Sequence, residues 1–194
     1  MKTKIMALIA TVALAAFGGL GAAAETNFPK AKDKIRNIYL VDFKLSLEGQ
    51  YKYVSLKDLL KNNKVVIGSF FYSTCVNCEK EIPAVQKLME TYKDKGVALV
   101  LICSEPVKVS DGESWASEGI TRVKNIIAKW NIEGTVLDDH NLVAAKNYGI
   151  YTGGVLHAPA LFIASGDSYV YTHSGWEGDK SIAEIEAVLK QLVK

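Results

Sequence analysis

A chain of 194 residues holds one well-buried domain and leaves little for a second. Apolar residues at 49% and charged residues at 23% are ordinary globular proportions, which excludes a disordered chain and a disulfide-dense scaffold. The formal net charge is only +2 and no basic block tracks phosphates, so nucleic acid is not an expected partner.

The N-terminus departs from that average. Lys2 and Lys4 give a basic start, residues 5–20 are apolar and rich in Ala and Leu, and Gly21 to Ala24 supply small residues just before Glu25. That order predicts a secretory signal peptide over residues 1–24, cleaved after Ala24. A retained membrane anchor is the competing reading, but the run is weakly hydrophobic and barely reaches the roughly 20 residues that spanning takes. Without Lys2 and Lys4 the charges balance at 21 basic and 21 acidic residues. Cys75, Cys78 and Cys103 all lie beyond the cleavage site. An odd count in an exported chain argues against a purely structural disulfide framework.

Residues 25–37 are polar and basic and read as a leader, followed by one domain over residues 38–194. Alternation over residues 38–47 and again over residues 51–54, separated by Gly49 and Gln50, predicts a strand pair. Ser55 is placed to cap a short helix over residues 56–61. Residues 65–71 form a continuous apolar run, as expected of a strand buried on both faces. Beyond the first two cysteines, Ile82, Val85, Leu88, Met89 and Tyr92 recur at helical spacing, and Gly96 is read as the helix end. Residues 97–103 predict a second buried strand, residues 104–119 a loop, and Val123, Ile126, Ile127 and Trp130 one face of a helix. A short strand over residues 135–137 and a short helix over residues 142–148 follow. Residues 160–164 and 169–173 flank Ser165, Gly166 and Asp167 as a hairpin. Ile182, Ile185, Val188, Leu189 and Leu192 then form the stripe of a closing helix. This order implies an α/β domain, a mixed central sheet with helices on both faces.

Chemistry concentrates at Cys75-Val76-Asn77-Cys78, which follows directly on a buried strand and opens an amphipathic helix. Two cysteines at this spacing close a small disulfide ring. At a helix start, free backbone N–H groups and the helix dipole stabilise a thiolate, the species that attacks disulfides. Cys75 is thereby the expected nucleophile, at an exposed position, and Cys78 the resolving thiol. A zinc site would need a second Cys/His pair at ligand spacing, which the sequence lacks. A static bridge would close too short a loop to stabilise much.

These residues, with Pro83 five positions after Cys78 and Ala158-Pro159 before the strand over residues 160–164, resemble the thioredoxin-like superfamily. The likeness is greatest to the exported TlpA/ResA-type thiol:disulfide oxidoreductases and runs from about Ile38 to the C-terminus. It implies a thioredoxin-like fold with an N-terminal strand-pair extension and no cofactor. It further implies protein substrates carrying disulfides or thiols, a membrane thiol donor, and a role in cytochrome c biogenesis or in reducing copper-site cysteines in the periplasm. Pro159 would be a cis-proline facing the disulfide; a proline in trans on an edge strand is the alternative. Glu81 matches a glutamate that ResA-like proteins use in proton movement. A partly buried carboxylate can exchange protons with a thiol, while a solvated surface charge is the bland alternative.

Three positions depart from the pattern. Thr74 stands where the family usually has Trp, Ser69 where thioredoxin has a buried acid, and residues 151–157 make a longer approach to Pro159, with Gly153 and Gly154 inside it. Cys103 reads as a buried small hydrophobe, with a second resolving thiol as the functional alternative. His157, two residues before Pro159, supports a different reading, a Sco-like copper chaperone binding Cu(I) through Cys75, Cys78 and His157. That family separates its cysteines by three residues, however, not two. His140 and His173 have no ligand partner at useful spacing. A peroxiredoxin is disfavoured because the Pro and Thr that position its reactive cysteine are missing ahead of Cys75 and Cys78.

Overall fold

The computed structural model describes residues 27–105 and 115–193, with backbone alone at residues 115–117. The expected signal peptide, residues 1–24, lies outside the described residues. So does most of the segment read as a loop after Cys103.

Seven strands build one mixed sheet. In chain order they are β1 (Tyr39–Asp42), β2 (Tyr53–Ser55), β3 (Val65–Phe71), β4 (Val97–Cys103), β5 (Thr135–Asp138) and, past a small hairpin of β6 (Tyr151–Thr152) and β7 (Val155–Leu156), β8 (Ala160–Ser165) and β9 (Ser168–Ser174). Their spatial order is β2-β1-β5-β4-β3-β8-β9. The centre, β5-β4-β3, is parallel, and β1, β8 and β9 join it antiparallel. Parallel strands need both faces covered, which is why β3 reads as an unbroken apolar run and is buried along its whole length. The helices are α1 (Phe43–Ser46), α2 (Leu56–Asn62), α3 (Cys78–Glu90), α4 (Trp115–Lys129), α5 (Val143–Asn147) and α6 (Asp179–Leu192).

Side-chain alternation sorts the core into two layers. One face of the sheet carries Val65, Ile67 and Phe71 of β3 with Leu161 and Ile163 of β8, packed under α3, α4 and α6. On the other face, Val66, Phe70, Val100, Phe162 and Ala164 meet Leu56 of α2, Ala144 and Ala145 of α5, and Tyr148. Gly68 belongs to this second face, where a Cβ would lie 2.1 Å from the Phe162 ring; the bare backbone is what lets that ring cross β3.

The strand pair exists, but it is shorter than the alternation implied. Asp42 ends β1 because its carboxylate accepts the backbone N–H groups of Lys44 and Leu45, capping α1 where the sequence pattern continues as strand. Ser55 caps α2 as expected, accepting from Asp58 N at 3.0 Å. Helix α3 stops at Glu90, and turns carry the chain to Gly96, whose φ of +75° delivers it into β4. The long approach to Pro159 is the β6–β7 hairpin, with Gly153 and Gly154 at its tip.

The leader segment packs against the domain from residue 27 onward. Phe28 is buried against Tyr148, and Lys32 N donates to Tyr169 O. Lys34 bridges Ser168 on the outer edge of β9. Tyr148 donates from its hydroxyl to Arg36 O, while the Arg36 guanidinium reaches Asn27 O and Asn147 O.

Candidate active site

The turn between β3 and α3 sets the sulfur chemistry. Cys75 and Cys78 are joined, with their Cα atoms 5.2 Å apart. Helix α3 begins at Cys78, and its N-cap residue, Asn77, makes no side-chain capping hydrogen bond. That role falls to the Cys75 sulfur, which accepts Cys78 N–H at 3.1 Å. One of the unpaired N–H groups of a helix start is thereby aimed at the atom on which a thiolate charge would sit. The expected exposure of Cys75 is corrected. In the disulfide form it is 3% exposed against 0% for Cys78, and the solvent-facing residue of the motif is Val76 at 69%. Both cysteines rest on an apolar floor of Phe71, Ile82 and Leu101.

Glu81 lies one turn further along α3 and is fully buried, which removes the surface-charge reading. Ser69 of β3 donates from its hydroxyl to Glu81 Oε1 at 2.8 Å. The other carboxylate oxygen meets His173 Nε2 of β9 at 3.1 Å. Ser69, Leu161 and His173 stand opposite one another across β3, β8 and β9, so Ser69 and His173 flank Leu161 on the face beneath α3. The sequence reading set His173 aside, because it has no ligand partner at useful spacing; the carboxylate it meets is 92 residues away. The signal that could have found it is register. His173 follows Tyr171 at strand spacing, and pairing the predicted hairpin against β3 brings it level with Ser69.

A second carboxylate holds the loop before Cys75. Glu105, just beyond β4 and 8% exposed, accepts Ser73 N at 2.8 Å and the Ser73 hydroxyl at 2.9 Å, and Arg122 of α4 donates to it at 3.2 Å. Cys75 N in turn donates to Tyr72 O.

The Ala158–Pro159 peptide is cis, and Ala158 packs against the cluster that contains the disulfide. Cys103 ends β4 within that cluster and is 2% exposed. Burial, followed by the charges of Glu105, Asp138 and Asp139, pushes its thiol well up, so it stays protonated and packs as a small hydrophobe. His157 is exposed, and its ring contacts the Thr152 hydroxyl at 3.2 Å. Among the described residues no three His, Cys, Asp or Glu side chains come together as a metal site. No helix among them is long and apolar enough to cross a membrane.

A thioredoxin-like sheet with a closed dithiol at the start of α3 and a cis-proline before β8 defines a thiol:disulfide oxidoreductase. The chain belongs to the AhpC/TSA family, whose profile matches residues 39–172, and within it the chain is of the TlpA/ResA type. It is 27% identical over 146 residues to the thiol-disulfide oxidoreductase ResA of Bacillus thuringiensis subsp. konkukian, covering 75% of this chain and 71% of that one. To ResA of Bacillus anthracis it is 25% identical over 198 residues, covering 99% of each. The thioredoxin domain of a thiol-disulfide oxidoreductase from Bacteroides vulgatus superposes with a TM-score of 0.58 at 18% identity, over 82% of this chain and 97% of that domain.

Proposed function

We propose that this enzyme is exported and reduces disulfides in other exported proteins, the cysteine pairs of apocytochrome c or of copper sites, and is recharged by a membrane thiol donor. Residues 1–24 direct export and are removed, residues 25–37 lead onto the domain, and residues 38–194 are the catalytic unit. Cys75 attacks the substrate disulfide, Cys78 resolves the mixed disulfide, Glu81 handles the proton of Cys78, and Pro159 borders the groove where substrate lies.

The observation that carries this reading is the Cys78 N–H donated to the Cys75 sulfur at the start of α3, which favours Cys75 as the thiolate. The reductive direction is supported by what the motif lacks. Val76 and Asn77 add neither a cation nor an imidazole beside the nucleophile, so no extra charge stabilises the reduced form as it does in strong oxidants. Burial of Glu81 supports its proton role. The names of the ResA relatives agree with the reaction.

The test is the reduction potential of the Cys75–Cys78 pair, measured by equilibration with dithiothreitol buffers and mass mapping. A value on the thioredoxin side, near about −270 mV, is expected; one near the roughly −120 mV of a strong oxidant overturns the reductive assignment.

A further inference from the structure

Glu81 is one end of a chain of hydrogen bonds that leads from the buried site to solvent. Its Oε2 meets His173 Nε2 at 3.1 Å, and His173 Nδ1 meets the Tyr171 hydroxyl at 3.1 Å. Tyr171 donates in turn to Glu184 Oε2 at 2.7 Å. Glu81 is fully buried, the His173 side chain is 14% exposed, and Glu184 of α6 is open to solvent. Three elements, α3, β9 and α6, thus contribute one continuous path.

Counting hydrogens restricts its states. Tyr171 has one hydroxyl proton, so while it donates to Glu184 its oxygen accepts from His173 Nδ1–H. A single proton then fills the Glu81–His173 contact, on either atom. In the other arrangement, Tyr171 turns its proton to Nδ1, and His173 donates from Nε2 to the Glu81 carboxylate. The two arrangements differ by one proton and by the direction of one hydroxyl, with no heavy atom displaced. Tyr171 suits this part: burial, and then its bond to Glu184, raise its pKa, so it stays a neutral hydroxyl that both gives and accepts. The other charges near the path are Glu177, which acts on both Tyr171 and His173, and Lys180, which is paired with Glu177.

We propose that His173, Tyr171 and Glu184 form a proton relay that loads and unloads Glu81 during disulfide exchange. The inference rests on the reading of Cys75 as nucleophile and Cys78 as resolving thiol. In the mixed disulfide the substrate sulfur is bonded to Cys75, and Cys78 holds a thiol. Cys78 gives its proton to the Glu81–His173 pair, and its thiolate attacks the Cys75 sulfur. The Cys75–Cys78 bond forms and the Cys75–substrate bond breaks. The substrate leaves as a thiolate that takes its proton from water. The dithiol is oxidised by two electrons and the substrate disulfide is reduced by the same two. The proton on the pair leaves through Nδ1 to Tyr171, whose own proton passes to Glu184 and out. These three residues are relay residues that act through Glu81.

The experiment is stopped-flow reaction of the reduced protein with the chromogenic disulfide dithionitrobenzoate. The first phase reports attack by Cys75, and the second, unimolecular phase reports resolution by Cys78. Tyr171→Phe keeps the ring and deletes the hydroxyl. In weak buffer near neutral pH it should slow the second phase about tenfold, less than the roughly 100-fold or more of a direct general acid or base, because Tyr171 acts through Glu81. The first phase should not change, and added imidazole should restore the second. A second phase with unaltered rate and pH profile overturns the relay and leaves the dithiol assignment standing. So does equal slowing of both phases without rescue, which marks a structural role. A wild type with no second phase overturns the dithiol assignment itself. Glu184→Gln, on the surface, repeats the measurement if Tyr171→Phe does not fold, with slowing and imidazole rescue again expected and an unaltered second phase again fatal.

Discussion

Glu105 should fix the geometry of the loop that carries Cys75, and its removal gives a magnitude that can be checked. The carboxylate is only 11% exposed at its side chain and accepts two hydrogen bonds from Ser73. Hydrogen bonds to a charged acceptor contribute about 1.5–3 kcal/mol each, and a part-buried N–H left without a partner costs about 1–3 kcal/mol. Water can reach part of the loop, so Glu105→Ala should cost about 3 kcal/mol in all. Arg122 is 46% exposed, and its ion pair with Glu105 belongs with surface pairs of about 0–1 kcal/mol. Urea unfolding followed by circular dichroism should therefore rank Glu105→Ala far above Arg122→Ala. The thermal midpoint of Glu105→Ala should fall by roughly 6–12 °C, at about 2–4 °C per kcal/mol for a domain of this size. Glu105→Gln retains one acceptor oxygen and should lie between them. If Arg122→Ala costs as much as Glu105→Ala, the anchor is the ion pair and the loop argument fails.

Brief iodoacetamide treatment of the reduced protein should label Cys75 ahead of Cys78, since a helix N–H stabilises the Cys75 thiolate; mass mapping that finds Cys78 labelled first reverses the assignment. Cys103 should stay unlabelled in the native protein and react only after denaturation, because burial holds it as a thiol; labelling at the native rate of Cys75 would contradict its place in the core. Asp139 tests a pH dependence. Burial raises its pKa despite hydrogen bonds from Ala144 N, Ala145 N and Ser104, so the folded state holds its proton more tightly than the unfolded chain. That stabilisation is complete below the unfolded value of about 3.8 and fades as pH climbs through the folded one. In urea titrations from about pH 4 to pH 7, the advantage of wild type over Asp139→Asn should shrink, and an advantage that grows would refute the direction.

The parts of this molecule legible in the chain are those whose physics is local. Strand β3 declares itself because burial on both faces leaves no polar residue but Ser69, and the cysteine motif with Glu81 falls within seven residues of one helix start. Strand β1 misleads for an equally local reason: apolar alternation continues through Phe43 and Leu45, and only the Asp42 carboxylate turns that segment into a helix. The seats of Glu105 and His173 are set by partners 32 and 92 residues away, and no periodicity encodes such distances. Ser69 shows how a departure from a family pattern becomes interpretable in three dimensions. It places a hydroxyl against the Glu81 carboxylate, so the acid near that point of the sheet comes from α3 instead of β3.

Residues 32–35 lie along the start of β9, the edge strand of the sheet, and occupy part of a row of backbone groups that would otherwise face outward. An uncovered strand edge is a template on which a second chain can extend the same sheet. A thiol:disulfide oxidoreductase meets other protein chains, which makes an unguarded edge a hazard. With residues 32–35 taking up hydrogen-bonding positions around Asp167, Ser168 and Tyr169, the start of β9 is shielded from such visitors. At the opposite end of the strands Val76 stands exposed beside the sulfurs.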